Sequence, residues 1–324
     1  MRGLLHCAVA VLGAWSLVTA ARAQSYPSKL VRIVVAYAPG GATDVVTRAV
    51  AQRLGPLWNQ PVVIENKAGA NTNIAAEAVA KMPPDGHALL STAEATFAVN
   101  PHVYGKLPFD PVRDFVPVSG LGIIHQVLVV HPSVPMQSIG DLIAQARAKP
   151  GGIHYATLGV GSSPHLNMEM FQHMAGVSLA PVHYKGGAPA LADVVGGHVP
   201  TMFISTTLMA KPWKAGQLKV LGVGSAKRLA QFPELPTIAE SGLPGFEAVS
   251  WFGLFAPGAT PREVVTKINA DVQRVLADPD FRDKFLAPNF FEPIAGSPEE
   301  FANYVKRDAA KWGQVVKQAR VTLD

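Results

Sequence analysis

The sequence predicts an α/β protein of two lobes, each a mainly parallel sheet flanked by helices. Three observations predict it. Short apolar runs bounded by Gly or Pro alternate with segments of helical period along most of the chain. The runs are apolar on both faces, as strands covered by helices on either side must be. A chain of 324 residues is large for one core and comfortable for two.

The elements follow in order. Residues 1–23 read as a secretory signal. Arg2 supplies the positive start, Leu4 to Ala20 is apolar and uncharged, and Ala21-Arg22-Ala23 fits the small-x-small cleavage rule ahead of Gln24. The strand candidates are 31–37, 62–65, 88–92, 126–130, 154–157, 180–183, 201–204 and 219–224. Helices are predicted between them at 43–57, 73–81, 138–148, 164–175 and 188–196. A further strand at 250–256 returns the chain to the first lobe. Two long amphipathic helices, 261–277 and 298–318, then pack on a lobe rather than form a third domain. Ser297, Pro298 and Glu300 write a capping box at the start of the second. The resulting organisation is a signal at 1–23, a first lobe from 24–125 and 251–324, and a second lobe from 126–250.

Composition excludes several classes of function. The one cysteine, Cys7, lies within the signal, so the mature chain has no disulfide, thiolate metal site or cysteine nucleophile. Without the signal, 26 basic residues stand against 23 acidic, and no Lys/Arg run points to nucleic acid. No later apolar stretch reaches membrane-spanning length.

The candidate chemistry lies in two glycine-rich turns, each opening a predicted helix. One is Ala38-Pro39-Gly40-Gly41-Ala42-Thr43-Asp44 and the other is Thr157-Leu158-Gly159-Val160-Gly161-Ser162-Ser163-Pro164. A helix start carries unpaired N–H groups and about half a positive charge, and glycine lets a ligand approach the backbone. Gly40, Gly41 and Ala42 offer successive backbone donors, with Thr43 as a cap. Gly159, Gly161, Ser162 and Ser163 offer the opposing set. Neither turn is a nucleophile elbow or a P-loop, because the spacing around Ser162 and the Gly-Lys ending are both wrong. His165 and Glu169 stand one helical turn apart, with Met168, Met170, His173 and Met174 nearby. A cap contact and methionine packing explain them better than a metal site.

Together these residues resemble the periplasmic solute-binding proteins of tripartite tricarboxylate transporters, the Bug family. The matching stretches are Pro39 to Asp44, Val63 to Ala70, Pro84-Asp85-Gly86, Asn100-Pro101, Tyr155 to Leu166, Tyr184 to Ala190 and Ser250 to Pro257. They run in the family's order over nearly the whole mature chain. The resemblance implies a type II periplasmic-binding-protein fold with two lobes joined by crossing strands and closing like a hinge on a small carboxylate. It further implies a monomer without catalysis or cofactor that delivers its ligand to membrane permease subunits. A sensor that presents its closed form to a signalling receptor is the alternative. A serine hydrolase built on Ser162 or Ser163 with His165 is a poorer one.

The remaining site candidates are Tyr37, Thr92, Glu94, Tyr184, Gly187 and Ala188. Gly187 and Ala188 offer amides at a third helix start, and Lys185 is either a ligand partner or solvated. Tyr37 either walls the pocket or ends the first strand. Two positions depart from the family pattern. Pro200 stands where the family has aspartate, so its strand begins later or lies at an edge. Glu94 stands where the family has a small polar residue or amide. It is either an exposed loop residue or a cleft residue that disfavours a second anionic group and accepts from an amine, amide or hydroxyl.

Overall fold

The computed structural model describes residues 26–184, 186–319 and 322. The signal at 1–23, Cys7 included, and Lys185 lie outside the described residues.

Nine strands among the described residues form one curled sheet in the order β2-β1-β3-β9-β4-β7-β5-β6, with β8 also on β4. The strands are β1 (Val31–Val35), β2 (Val62–Asn66), β3 (Ala88–Ala93), β4 (Phe115–Val130), β5 (His154–Thr157), β6 (Ala180–His183), β7 (Thr201–Ser205), β8 (Lys219–Val223) and β9 (Val249–Pro257). The helices are α1 (Ala42–Trp58), α2 (Asn73–Ala80), α3 (Ile139–Ala148), α4 (Ser163–Ala175), α5 (Gly187–Val195), α6 (Thr206–Lys214), α7 (Arg262–Ala277) and α8 (Pro298–Ala319).

β4 is sixteen residues long and belongs to both halves of the sheet. Phe115 to His125 pairs antiparallel with β9, whereas Gln126 to Val130 pairs antiparallel with β7 and β8. β3 also pairs antiparallel with β9, and the remaining pairs, β1 with β2 and β3 and β5 with β6 and β7, are parallel. The fold is thus the two-lobed α/β arrangement, with antiparallel pairing introduced where β4 and β9 run between the halves. The first half of β4 was not read as a strand because Pro117, Ser119, Gly120 and Gly122 interrupt its apolar run. Those residues mark two register shifts. A Cβ on Gly120 would lie 2.5 Å from Ile294, so the glycine is what lets that loop cross the strand. α6 was also missed. It is only nine residues long and carries Pro212, although Ser205 caps it.

Pro200 does not put its strand at an edge. β7 begins at Thr201, immediately after it, and lies between β4 and β5. The Pro200 carbonyl accepts the His131 N–H at 2.9 Å, so the missing donor falls just outside the ladder.

The C-terminal helices pack on the first half of the sheet. α7 buries Val265, Ile268, Val272 and Val275, and α8 buries Phe301, Val305, Trp312 and Val316, each set at i, i+3 or i+4 spacing. The capping box forms: Ser297 N–H donates to Glu300 Oε2 at 2.8 Å and Glu300 N–H to Ser297 Oγ at 3.2 Å. Trp251 of β9 is fully buried, packs edge-on against Phe301, and donates Nε1–H to Asp308 at 2.7 Å. This ties α8 to the strand that runs between the halves of the sheet.

Candidate functional site

The candidate residues follow the carboxyl ends of β1, β3, β5 and β6 or open helices α1, α4 and α5. In open α/β sheets ligands settle at this end, because strand ends leave a crevice lined by loops and helix N-termini.

The turn after β1 is held by Asp44. This buried carboxylate takes the Gly40 N–H at 2.9 Å, Arg48 Nε at 2.9 Å and Asn66 Nδ2 at 2.8 Å. Burial works against its charge, but hydrogen bonds from Arg48, Gly40 and Asn66 outweigh it and hold the carboxyl below its ordinary range. Asn66 also donates to the Tyr37 carbonyl at 3.0 Å and so locks the turn to β1. Thr43 is not the cap. The N-cap is Gly41, which accepts the Val45 N–H through its carbonyl, and Asp44 reaches back to Gly40 instead. The Gly40 amide is therefore committed, while Ala42 and Thr43 open α1 with N–H groups that have no intrahelical acceptor.

The turn after β5 is likewise braced from within. Gly159 and Gly161 adopt φ of +117° and +72°, a region side chains avoid. Gly159 N–H donates to Thr157 Oγ1 at 3.1 Å and Ser162 Oγ to the Gly159 carbonyl at 2.7 Å. Gly161 N–H donates to His165 Nδ1 at 3.1 Å, which fixes the histidine as an acceptor. Burial, with His183 a second cause, pushes His165 down to about 4. His165 Nε2 is 3.8 Å from Glu169, which instead takes Tyr155 OH at 2.7 Å and Gln172 Nε2 at 2.9 Å. Among the described residues no group of three His, Cys, Asp or Glu could hold a metal ion. Two glycine amides of this turn are thus spent on its own geometry, and Ser163 opens α4 with an N–H that has no intrahelical acceptor.

At the third helix start, Gly187 and Ala188 open α5 after Gly186, whose φ is +119°. Tyr184 turns along the helix and donates to Asp193 at 2.6 Å. Burial, with Asp193 a second cause, raises its phenol to about 12.

Glu94, directly after β3, is 2 % exposed, so it is not a surface loop residue. Ser163 Oγ, from the start of α4 across the molecule, donates to Glu94 Oε1. Ser250 Oγ of β9 donates to the same oxygen at 3.1 Å, and Gln126 Nε2 of β4 donates to Ser250 Oγ at 3.1 Å. Oε2 of Glu94 has no partner. Burial pushes this carboxyl up to about 7 against the pull of the Ser163 hydrogen bond. Tyr37 packs beside it, and burial together with the Glu94 charge raises the Tyr37 phenol above its ordinary value.

Sequence reasoning missed a buried polar chain behind Thr92. Thr92 Oγ1 meets Thr96 Oγ1 at 2.5 Å, and Thr96 meets Thr72 at 2.7 Å. Asn100 Nδ2 holds the Asn71 carbonyl at 2.6 Å and Asn73 Oδ1 at 2.7 Å. It braces a segment in which Ala70, Asn71 and Thr72 all have positive φ. The visible signal was Thr96 and Asn100 flanking the apolar residues Phe97 to Val99. Ser250 was read as part of a strand, and nothing in its spacing announced a contact with Glu94.

With this geometry in hand, comparison with known proteins is informative. Residues 46–321 match the family described as tripartite tricarboxylate transporter family receptor. Protein BugT of Bordetella pertussis is 33 % identical over 302 residues, 93 % of this chain and 92 % of that protein. The structure of R. palustris Rpa4515 with adipate superposes with a TM-score of 0.84 at 37 % identity, covering 92 % of this chain and 99 % of that one. MatC from Rhodopseudomonas palustris with bound malate gives 0.80 at 30 % identity, covering 90 % and 100 %. The family match covers most of the chain, and it makes the protein a solute-binding receptor rather than an enzyme: the chain belongs to the tripartite tricarboxylate transporter receptor family.

Proposed function

We propose that this receptor is exported to the periplasm, loses its signal after Ala23, and captures a small carboxylate between lobes 24–125 with 251–324 and 126–250. Three helix N-termini supply the donors, namely Ala42 and Thr43 on α1, Ser163 on α4, and Gly187 and Ala188 on α5. The observation that carries this reading is the contact of Ser163 with Glu94, which brings the start of α4 against the end of β3. On this reading helix starts from the two halves face one cleft, where N–H groups and positive helix ends favour an anion. The adipate and malate in the two solved relatives both carry carboxylates. A ligand without matching oxygens leaves buried donors unpaired, which is how backbone amides select. The lobes close on the ligand as a monomer, and the closed form is handed to membrane permease subunits.

The test is a thermal-shift panel on receptor stripped of carried-over ligand by unfolding and refolding. It holds mono-, di- and tricarboxylates, amino acids and neutral sugars. A ligand at 100 times its Kd adds about 2.7 kcal/mol, roughly a 4–5 °C rise for a chain of this size. A rise with carboxylates and none with sugars is expected. A rise confined to sugars, or a folded protein indifferent to every carboxylate, would overturn the reading.

A further inference from the structure

Every polar atom buried in a folded protein needs a partner, and those without one mark where a ligand or water belongs. Three side chains on β3, β4 and α4 or directly after them carry such atoms. Glu94 Oε2, Gln126 Oε1 and both amide atoms of Asn167 are buried and unpaired. They are linked in space. Gln126 donates to Ser250, and Ser250 donates to Glu94. Asn167 stands one turn after Ser163 on the same face of α4, and Ser163 donates to Glu94. Glu94 and Gln126 are therefore joined through Ser250 where β3, β4, β9 and α4 meet, and Asn167 lies one turn further along α4. The two side chains joined through Ser250 each leave an acceptor empty, Glu94 Oε2 and Gln126 Oε1. Among the described residues no lysine or arginine hydrogen-bonds or ion-pairs with Glu94. The titratable groups acting on it are Tyr37 at the end of β1 and Tyr304 and Asp308 on α8.

A buried carboxylate with one oxygen saturated by two hydroxyls and the other empty is a receptor for a donor, and a cationic donor above all. It repels a second carboxylate, because like charges cannot share a desolvated site. We infer that Glu94, with the Gln126 carbonyl, forms an acceptor subsite that reads an ammonium group on the ligand, so that the solute is an amino-carboxylate rather than a dicarboxylate. The inference rests on the carboxylate-capture reading above. It assigns the ligand's carboxylate to the helix N-termini and its amine to Glu94.

Length-matched pairs test it. Isothermal titration at pH 8.0 compares α,ω-diacids from succinate to suberate with the ω-amino acids of equal length, such as adipate against 6-aminohexanoate, and with α-amino acids. At least one amino-carboxylate is expected to bind tenfold or more tighter than its diacid counterpart. Glu94→Gln, which keeps the acceptor for Ser163 and Ser250, is expected to weaken that ligand tenfold or more and to strengthen the diacids. The ratio within the unaltered receptor is a readout that needs no variant. Diacids that bind as tightly as or more tightly than their amino partners overturn the inference and leave carboxylate capture standing. So does an unchanged ratio in Glu94→Gln, which would mean that water alone fills the subsite. Binding of neither series removes carboxylate capture and the inference together.

Discussion

Glu94→Gln should stabilise the ligand-free receptor at alkaline pH and do so less and less as the pH falls. The Glu94 carboxyl is held at about 7 in the folded protein against an ordinary 4.5, chiefly because burial penalises its charge. Its folded value lies above its unfolded one, so its contribution is fully present below pH 4.5 and is lost as the pH rises through about 7. The gap of about 2.5 pH units corresponds to about 3 kcal/mol lost by pH 8. A glutamine has no charge to bury and keeps an oxygen for Ser163 and Ser250, so it escapes that loss. For a chain of this size about 3 kcal/mol is roughly a 5 °C rise in Tm. The wild-type curve alone would hide the effect. His165 is held at about 4 against 6.5, so its contribution is present above pH 6.5 and is lost as the pH falls through about 4. The two slopes oppose each other between pH 4.5 and 6.5 and nearly cancel. The assay is therefore the difference in Tm between Glu94→Gln and wild type, by differential scanning calorimetry from pH 4.5 to 8.5, on refolded ligand-free protein. The difference should climb from near zero to about 5 °C, levelling off above pH 7. Parallel curves would refute the reasoning, since they would mean that Glu94 titrates alike in the folded and unfolded chain.

Two further predictions concern the braces of the site. His165→Leu leaves the Gly161 N–H without its acceptor and should cost about 1–3 kcal/mol in urea unfolding at pH 7.5, together with weaker ligand binding as the turn loosens. Ala70→Gly removes a Cβ from a residue at φ +45° and should leave urea stability unchanged or raise it by up to about 1 kcal/mol, because the relieved left-handed strain slightly exceeds glycine's extra chain entropy.

The parallel strands were legible because short, mostly apolar runs bounded by turn formers write themselves directly into sequence. β3 is buried throughout, β1 and β5 expose only Arg32 and His154, and the outer strands β2 and β6 are part-exposed, yet each is a short run that ends near a turn former. The long strand β4 was legible only in its second half. Its first half needs glycines at 120 and 122 to admit the Ile294 and Glu292 segment, and glycines dilute the apolar signal that a strand otherwise gives. The candidate site divides in the same way. Helix starts announce themselves through Gly, Pro and Ser, so all three were located. How their amides are used was not readable. The Gly40 donor goes to Asp44 and the Gly161 donor to His165, four residues on in each case, and a turn cannot be seen from sequence to satisfy itself. Glu94 was visible as an oddity. Its burial was not, because burial depends on Ser163 and Ser250, respectively 69 and 156 residues away.

The same carboxylate links specificity to closure. In the proposed hinge motion water reaches Glu94 while β3 and α4 are apart, and its charge is then cheap to hold. When they meet, Ser163 and Ser250 supply one oxygen's partners and the other oxygen is stripped of water with nothing in exchange. At neutral pH that desolvation weighs against the empty closed form. If the ligand carries the proposed ammonium group, it would offset this in the closed form alone, where both the helix N-termini and Glu94 would be in reach. A ligand shifts a conformational equilibrium by its differential affinity for the two states, and about 3 kcal/mol of such difference is roughly a hundredfold shift. A dicarboxylate of equal length gains the same amide contacts but adds to the penalty instead of removing it. On the proposed reading, discrimination at Glu94 would therefore act on the closing step, and a permease that responds to the closed form would ignore solutes the cleft holds only while open.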